Sequence, residues 1–123
     1  MTPAVVAMAF VVFAAIGTLA RAGAQGVARR AGLWPSGTLA VNLVGSFAIG
    51  LIAGAAGDDL GSPTTLVLAA TVGGLGAFTT FSSFAHELGI LVEQRRWLIA
   101  GTYGATTLVV GVTLAWVGLT ITG

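Results

Sequence analysis

Four stretches of about twenty mostly apolar residues take up most of the chain, and they constrain the solvent in which it folds. They run from about Pro3 to Ala20, Gly37 to Ala56, Pro63 to Phe84 with a glycine-rich interruption, and Trp97 to Ile121. About 20 such residues are what a helix needs to cross about 30 Å of hydrocarbon. Charged residues make up only 7% of the 123 residues, against roughly a quarter in a soluble domain. The mean hydropathy is +1.00. Such a chain has no polar coat for water. We read residues 1–123 as a single all-α, multi-pass transmembrane domain with four transmembrane helices.

The polar residues fall between the spans. Gln25, Arg29, Arg30, Gly32 and Pro35 are expected to form the first loop, Gly57 to Pro63 with Asp58 and Asp59 the second, and Glu93, Gln94, Arg95 and Arg96 the third. Trp34 and Trp97 stand at span starts, where indoles favour the interface. The net charge is +1 with no lysine, and the five arginines border spans, so nothing points to nucleic acid. Without cysteine there are no disulfides or thiolate metal sites. Met1-Thr2-Pro3 carries no positive side chain ahead of the first apolar run, so we expect that span to be retained. Counting arginines in the short loops places the first and third loops in the cytoplasm and both termini outside.

Three spans carry patterns beyond hydropathy. In the second, Thr38, Asn42 and Ser46 recur at i, i+4, i+8 and share a helix face, continued by Gly50 and Gly54. Small residues at this spacing serve as a packing seam. Asn42 fits that role less well, because an amide in lipid needs a partner or a water-filled path. In the third, Gly73-Gly74-Leu75-Gly76 weakens a helix by roughly 1 kcal/mol per glycine. The following Thr79, Thr80, Ser82 and Ser83 carry hydroxyls able to satisfy freed backbone. This predicts a broken membrane helix, tolerated only inside protein or beside water. Phe78, Phe81 and Phe84 recur every third residue, on one side of the segment after the break. They are either core packing or rings whose positive edges face an anion. In the fourth, Tyr103, Thr107 and Gly111 form one row and Thr102 and Thr106 another. Their hydroxyls either bond their own backbone or donate to an anion.

Catalytic machinery is not evident, and we read the chain as a non-enzyme. His86-Glu87 lacks the second histidine of a zinc protease, since position 90 is Ile90, and the pair is expected where the third helix emerges. Thr71-Val72-Gly73-Gly74 is similar to a potassium filter but lacks its tyrosine. A small multidrug transporter needs an acidic residue in the first span, and none is present. A small cation channel or a four-helix small-molecule transporter remain the alternatives to the reading that follows.

Gly17-x-x-x-Arg21, Gly37-Thr38-Leu39-x-x-Asn42-x-x-Gly45-Ser46-Phe47-x-x-Gly50, and Gly76-x-Phe78-Thr79-Thr80-Phe81-Ser82-Ser83-Phe84 with Glu87 resemble, in order and spacing, the Fluc (CrcB) family of fluoride-specific ion channels. The resemblance implies a passive channel exporting cytoplasmic fluoride across the inner (plasma) membrane and conferring fluoride resistance. It implies an antiparallel, dual-topology homodimer with two pores, or a heterodimer with an oppositely oriented homologue. The third helix would break near the bilayer centre. There the backbone carbonyls of Gly76 and Thr79 would hold a structural sodium ion that is not transported. Asn42, Phe81 and Phe84 match the family's pore residues, Ser82, Tyr103 and Thr107 its polar lining, and Arg21 a basic residue at a pore mouth. Ala77 replaces a frequent glycine, and Gly111 stands where a hydroxyl is expected.

Overall fold

The computed structural model describes residues 2–56 and 69–123. All regular structure in these residues is helical. Helix α1 spans Pro3–Arg30 and α2 Ser36–Ala56. A π-helical segment, Ala69–Leu75, leads into a short helix α3, Gly76–Phe78. Helix α4 covers Phe81–Glu93 and α5 Trp97–Thr122. Four helical stretches are long and apolar enough to cross a membrane, the third of them Thr71–Glu93. The expected second loop, with Asp58, Asp59 and Pro63, lies outside the described residues.

Helix α1 is longer than its apolar stretch. Gln25, Arg29 and Arg30 belong to it and not to a loop. Alanine, glutamine and arginine are good helix formers, and nothing from Ala20 to Ala31 forces an end. The end comes at Gly32, whose φ of 72° lets the chain turn. There the Gly32 N–H donates to the Arg29 carbonyl and the Leu33 N–H to the Ala28 carbonyl. This is the Schellman pattern, which favours glycine.

Helix α4 ends in the same pattern. The Arg95 N–H donates to the Val92 carbonyl at 3.0 Å and the Arg96 N–H to the Leu91 carbonyl at 2.9 Å. Here the left-handed position, φ 57°, is held by Arg95. A side chain at that φ costs of the order of 1 kcal/mol. Both turns lie at one end of the bundle, since Trp34 packs against the buried cluster of Phe84, Leu91, Ala100 and Tyr103.

Packing between helices runs through glycine. A Cβ on Gly17 would collide with the Gly74 carbonyl, and one on Gly73 would lie 2.8 Å from the Phe10 carbonyl, so α1 and the π-helical segment meet backbone to backbone. Helices α2 and α5 meet likewise, where Gly50 faces the Ala115 carbonyl and Gly54 the Thr122 hydroxyl. The packing reading of the Gly50–Gly54 row therefore holds, and it is the close approach that small residues permit in lipid. Large apolar side chains turn outward instead, among them Met8, Leu19, Leu98 and Val112. Trp97 and Trp116, both exposed, stand about 28 Å apart along α5 at 1.5 Å per residue. That matches the hydrocarbon thickness.

Candidate functional site: an interrupted helix between two cavities

Between α3 and α4 the backbone leaves helical geometry for two residues. Thr79 has φ −75° and ψ 154°, and Thr80 has φ −150° and ψ 115°. An extended pair inside a helical segment must place its polar groups elsewhere. Asn42 takes those of Thr80: the Thr80 N–H donates to Asn42 Oδ1 at 2.8 Å, and Asn42 Nδ2 donates to the Thr80 carbonyl at 3.0 Å. The Thr80 hydroxyl caps α4 by accepting from the Ser83 N–H at 3.1 Å. Thr79 stays tied to the preceding turn, its hydroxyl and N–H both donating to the Leu75 carbonyl. Because Thr80 gives its N–H to Asn42, the Gly76 carbonyl loses its usual i+4 donor.

The interruption borders a cavity of about 270 Å³ lined by Asn42, Ser46, Thr79, Phe81, Phe84 and Thr107, among others. Phe81 is 77% exposed in the single chain, whereas Phe84 is buried. Their ring centroids lie 5.9 Å apart at 51°, and Phe84 meets Tyr103 at 5.3 Å and 52°. These tilted arrangements suit edge-to-face contact. Phe78 does not join them: it precedes the interruption, in α3, and points towards Gly45. The three phenylalanines therefore do not share one side of one segment, because the extended residues reset the helical phase.

A second cavity, about 340 Å³, continues towards the Trp34 end. Gln25, Arg29, Trp34, Thr38, His86 and Glu87 contribute to it. The row Thr38, Asn42, Ser46 runs from this cavity into the other, with about 6 Å of helix rise per step. Glu87 does not emerge at a helix end as expected. It is buried, with one carboxylate oxygen accepting from the Thr38 hydroxyl at 2.8 Å and the other from the Tyr103 hydroxyl at 2.7 Å. Gln25 Nε2 in turn donates to Thr38 at 2.9 Å. The chain of hydrogen bonds joins α1, α2, α4 and α5. The extension of α1 past Ala20 brings Gln25 into reach, and the continuation of α4 keeps Glu87 inside.

The remaining expected residues lie at varying distance from the interruption, Thr107 on the first cavity and Arg21 on neither. Thr107 donates its hydroxyl hydrogen to the Tyr103 carbonyl at 2.7 Å, so in this state its oxygen can only accept. Ser82 is exposed, with its hydroxyl 3.2 Å from that of Thr80. Gly76 is exposed, and a Cβ there would meet nothing within 4 Å. Arg21 is half-buried on the Gly17–Gln25 row of α1 and lines neither cavity. Opposite Gly111 stands the Ser46 hydroxyl, 3.6 Å from where a Cβ would be. A hydroxyl from α2 thus faces the position where α5 lacks one.

A family model described as CrcB-like protein, Camphor Resistance (CrcB), matches residues 8–119. A fluoride-specific ion channel FluC of Nitratidesulfovibrio vulgaris (strain Miyazaki F) is 38% identical over 107 residues, 85% of this chain and 86% of the relative. The protein of that name from Geobacter sulfurreducens is 38% identical over 116 residues, 91% and 92% of the two chains. That from Citrifermentans bemidjiense is 42% identical over 88 residues, 72% and 71%. With a family match over most of its length, and with relatives that it covers nearly end to end, this chain belongs to the CrcB family.

Proposed function

We propose that the protein is a passive, fluoride-specific ion channel of the cell's inner membrane and not an enzyme. The observation that carries this reading is the interruption held open by Asn42, bordering a cavity with an exposed phenylalanine ring and several hydroxyls. Fluoride gives up its water only at high cost, so a path must replace that water piecemeal. Asn42 uses one amide hydrogen on Thr80 and keeps a second donor. Phe81 and Phe84 offer positively polarised ring edges, which attract an anion without trapping it at a counter-charge. Ser82, Tyr103 and Thr107 extend the polar lining, the last two once their hydroxyl hydrogens turn from the Glu87 carboxylate and the Tyr103 carbonyl towards the ion, and Arg21 raises the local anion concentration near a mouth.

Phe81 lies open in one copy, as does Gly76, so a second copy completes the site. We take the assembly to be an antiparallel homodimer with two pores, each interruption near the bilayer centre. A heterodimer with an oppositely inserted homologue is the other arrangement. The Gly76 and Thr79 carbonyls suit a hard cation such as sodium, because the Gly76 carbonyl has lost its helical donor at the interruption. Sodium there would neutralise carbonyl dipoles and tie the copies together.

The test is fluoride efflux from liposomes containing only this protein, read with a fluoride electrode while a potassium ionophore relieves charge build-up. We expect fluoride to leave and chloride to stay. Potassium current without fluoride flux would replace this reading with a small cation channel.

A further inference from the structure

We infer that the end of the molecule bearing Arg29, Arg30, Arg95 and Arg96 is a binding surface for an anionic phospholipid. The headgroup phosphate sits on Arg95 and Arg96, and an acyl chain lies in the groove between α2 and α5.

All four arginines are exposed, two ending α1 and two in the turn before α5, at the same end of the bundle. Little negative charge opposes them there. Of the described carboxylates, Glu87 is turned inward to Thr38 and Tyr103, leaving Glu93. Guanidinium groups recognise phosphate by paired hydrogen bonds, and clusters of this kind beside a membrane span draw anionic lipid.

The groove makes the surface specific for a lipid rather than a free anion. It holds about 330 Å³, starts at Pro35 and Ser36 of the basic end, and runs along Leu39 of α2 and Leu98 and Thr102 of α5. Leu98, 84% exposed, lies two residues past Arg96, and Trp97 between them is exposed as well. Ile99, Tyr103 and Thr106 complete the lining, so the groove opens on the first turn of α5, next in the chain to Arg95 and Arg96 and at the depth where an indole marks the interface. Arg95 also occupies a left-handed position of the kind that glycine holds at the equivalent turn after α1, so glycine can replace it without harm to the turn.

The experiment measures retained lipid by native mass spectrometry on the full-length protein in neutral detergent, titrated with dioleoyl phosphatidylglycerol or dioleoyl phosphatidylcholine. We expect phosphatidylglycerol to be retained preferentially and the preference to fall with salt. Arg95→Gly and Arg96→Gln should each weaken phosphatidylglycerol binding about fivefold, the share expected per basic residue. Arg95→Gly should also unfold at the same or a higher temperature without lipid, so weakened binding cannot be ascribed to a damaged turn. Thr102→Trp, which fills the groove, should weaken retention with all arginines in place. Equal retention of the two lipids, or an unchanged preference in both arginine variants, overturns the proposal. So does competition by inorganic phosphate at the lipid's own concentration, which would make this a free-anion site. Disulfide formation between copies of Thr102→Cys would assign the groove to a second copy and overturn it too.

Discussion

Asn42 gives Thr80 two hydrogen bonds from one side chain, so substitutions there separate holding the backbone from meeting an anion. Asn42→Leu removes both bonds and buries an unsatisfied Thr80 N–H, at a cost of about 1–3 kcal/mol. We expect a lower unfolding midpoint in detergent together with lost fluoride flux. Asn42→Asp still accepts from the Thr80 N–H but places a negative charge beside the cavity. Flux should vanish through repulsion in low dielectric, and stability should fall as well, because a carboxylate oxygen replaces the donor that bonds the Thr80 carbonyl. Full flux in Asn42→Asp would return the residue to a purely structural role. Asn42 was visible in the sequence because an amide in an apolar run needs a reason. The Glu87 network was not, because Gln25, Thr38, Glu87 and Tyr103 come from four helices at unrelated spacings and no periodic pattern links them. Glu87→Gln should lower stability by about 1–3 kcal/mol. An amide presents one acceptor where the carboxylate presents two, so either the Thr38 or the Tyr103 hydroxyl loses its acceptor. An unchanged unfolding midpoint would show that the network does not hold the helices.

At the scale of elements, the two ring positions divide sharply. Phe81→Ile removes a ring edge from an exposed side chain, so flux should fall by an order of magnitude or more while the unfolding midpoint of the single chain barely moves. Phe84→Ile takes a buried ring from its contacts with Phe81 and Tyr103 and should cost about 1–2 kcal/mol as well. Equal, full flux in both would make the rings packing alone. Glycine contacts give a second element-scale outcome. Gly17→Val must push α1 off the Gly74 carbonyl and should cost about 3 kcal/mol. Gly23→Ala, whose Cβ meets nothing within 4 Å, should be neutral or stabilising by up to about 1 kcal/mol. The four spans were legible because hydropathy reports contact with lipid. It does not report where a helix stops, which is why α1 was expected to end ten residues early. The stop at Gly32 is chemical, and its counterpart at Arg95 carries no glycine to betray it.

For the whole molecule, the distribution of charge bears on assembly. Arg29, Arg30, Arg95 and Arg96 occupy one end, a bias that favours insertion with that end in the cytoplasm. An antiparallel homodimer needs both orientations from one chain. A cysteine introduced at Ala31 and another at Gly123, in separate variants of a chain with no native cysteine, should each be labelled from both sides if insertion is dual. Labelling of each from one side only, with no flux from this protein alone, would establish an obligate partner of opposite bias.

The two bonds between Asn42 and Thr80 carry a consequence for biosynthesis. Thr80 is in the third span, but the side chain that satisfies its N–H and carbonyl, Asn42, is in the second. An isolated 69–93 segment in lipid would have no acceptor for the Thr80 N–H except the Gly76 carbonyl, and would close into an uninterrupted helix. In the order of the chain α2 precedes Thr80, so the partner of the Thr80 N–H is synthesised before the group it satisfies. A permuted chain that delivered the third span before the second would have to reopen a finished helix to reach the same structure.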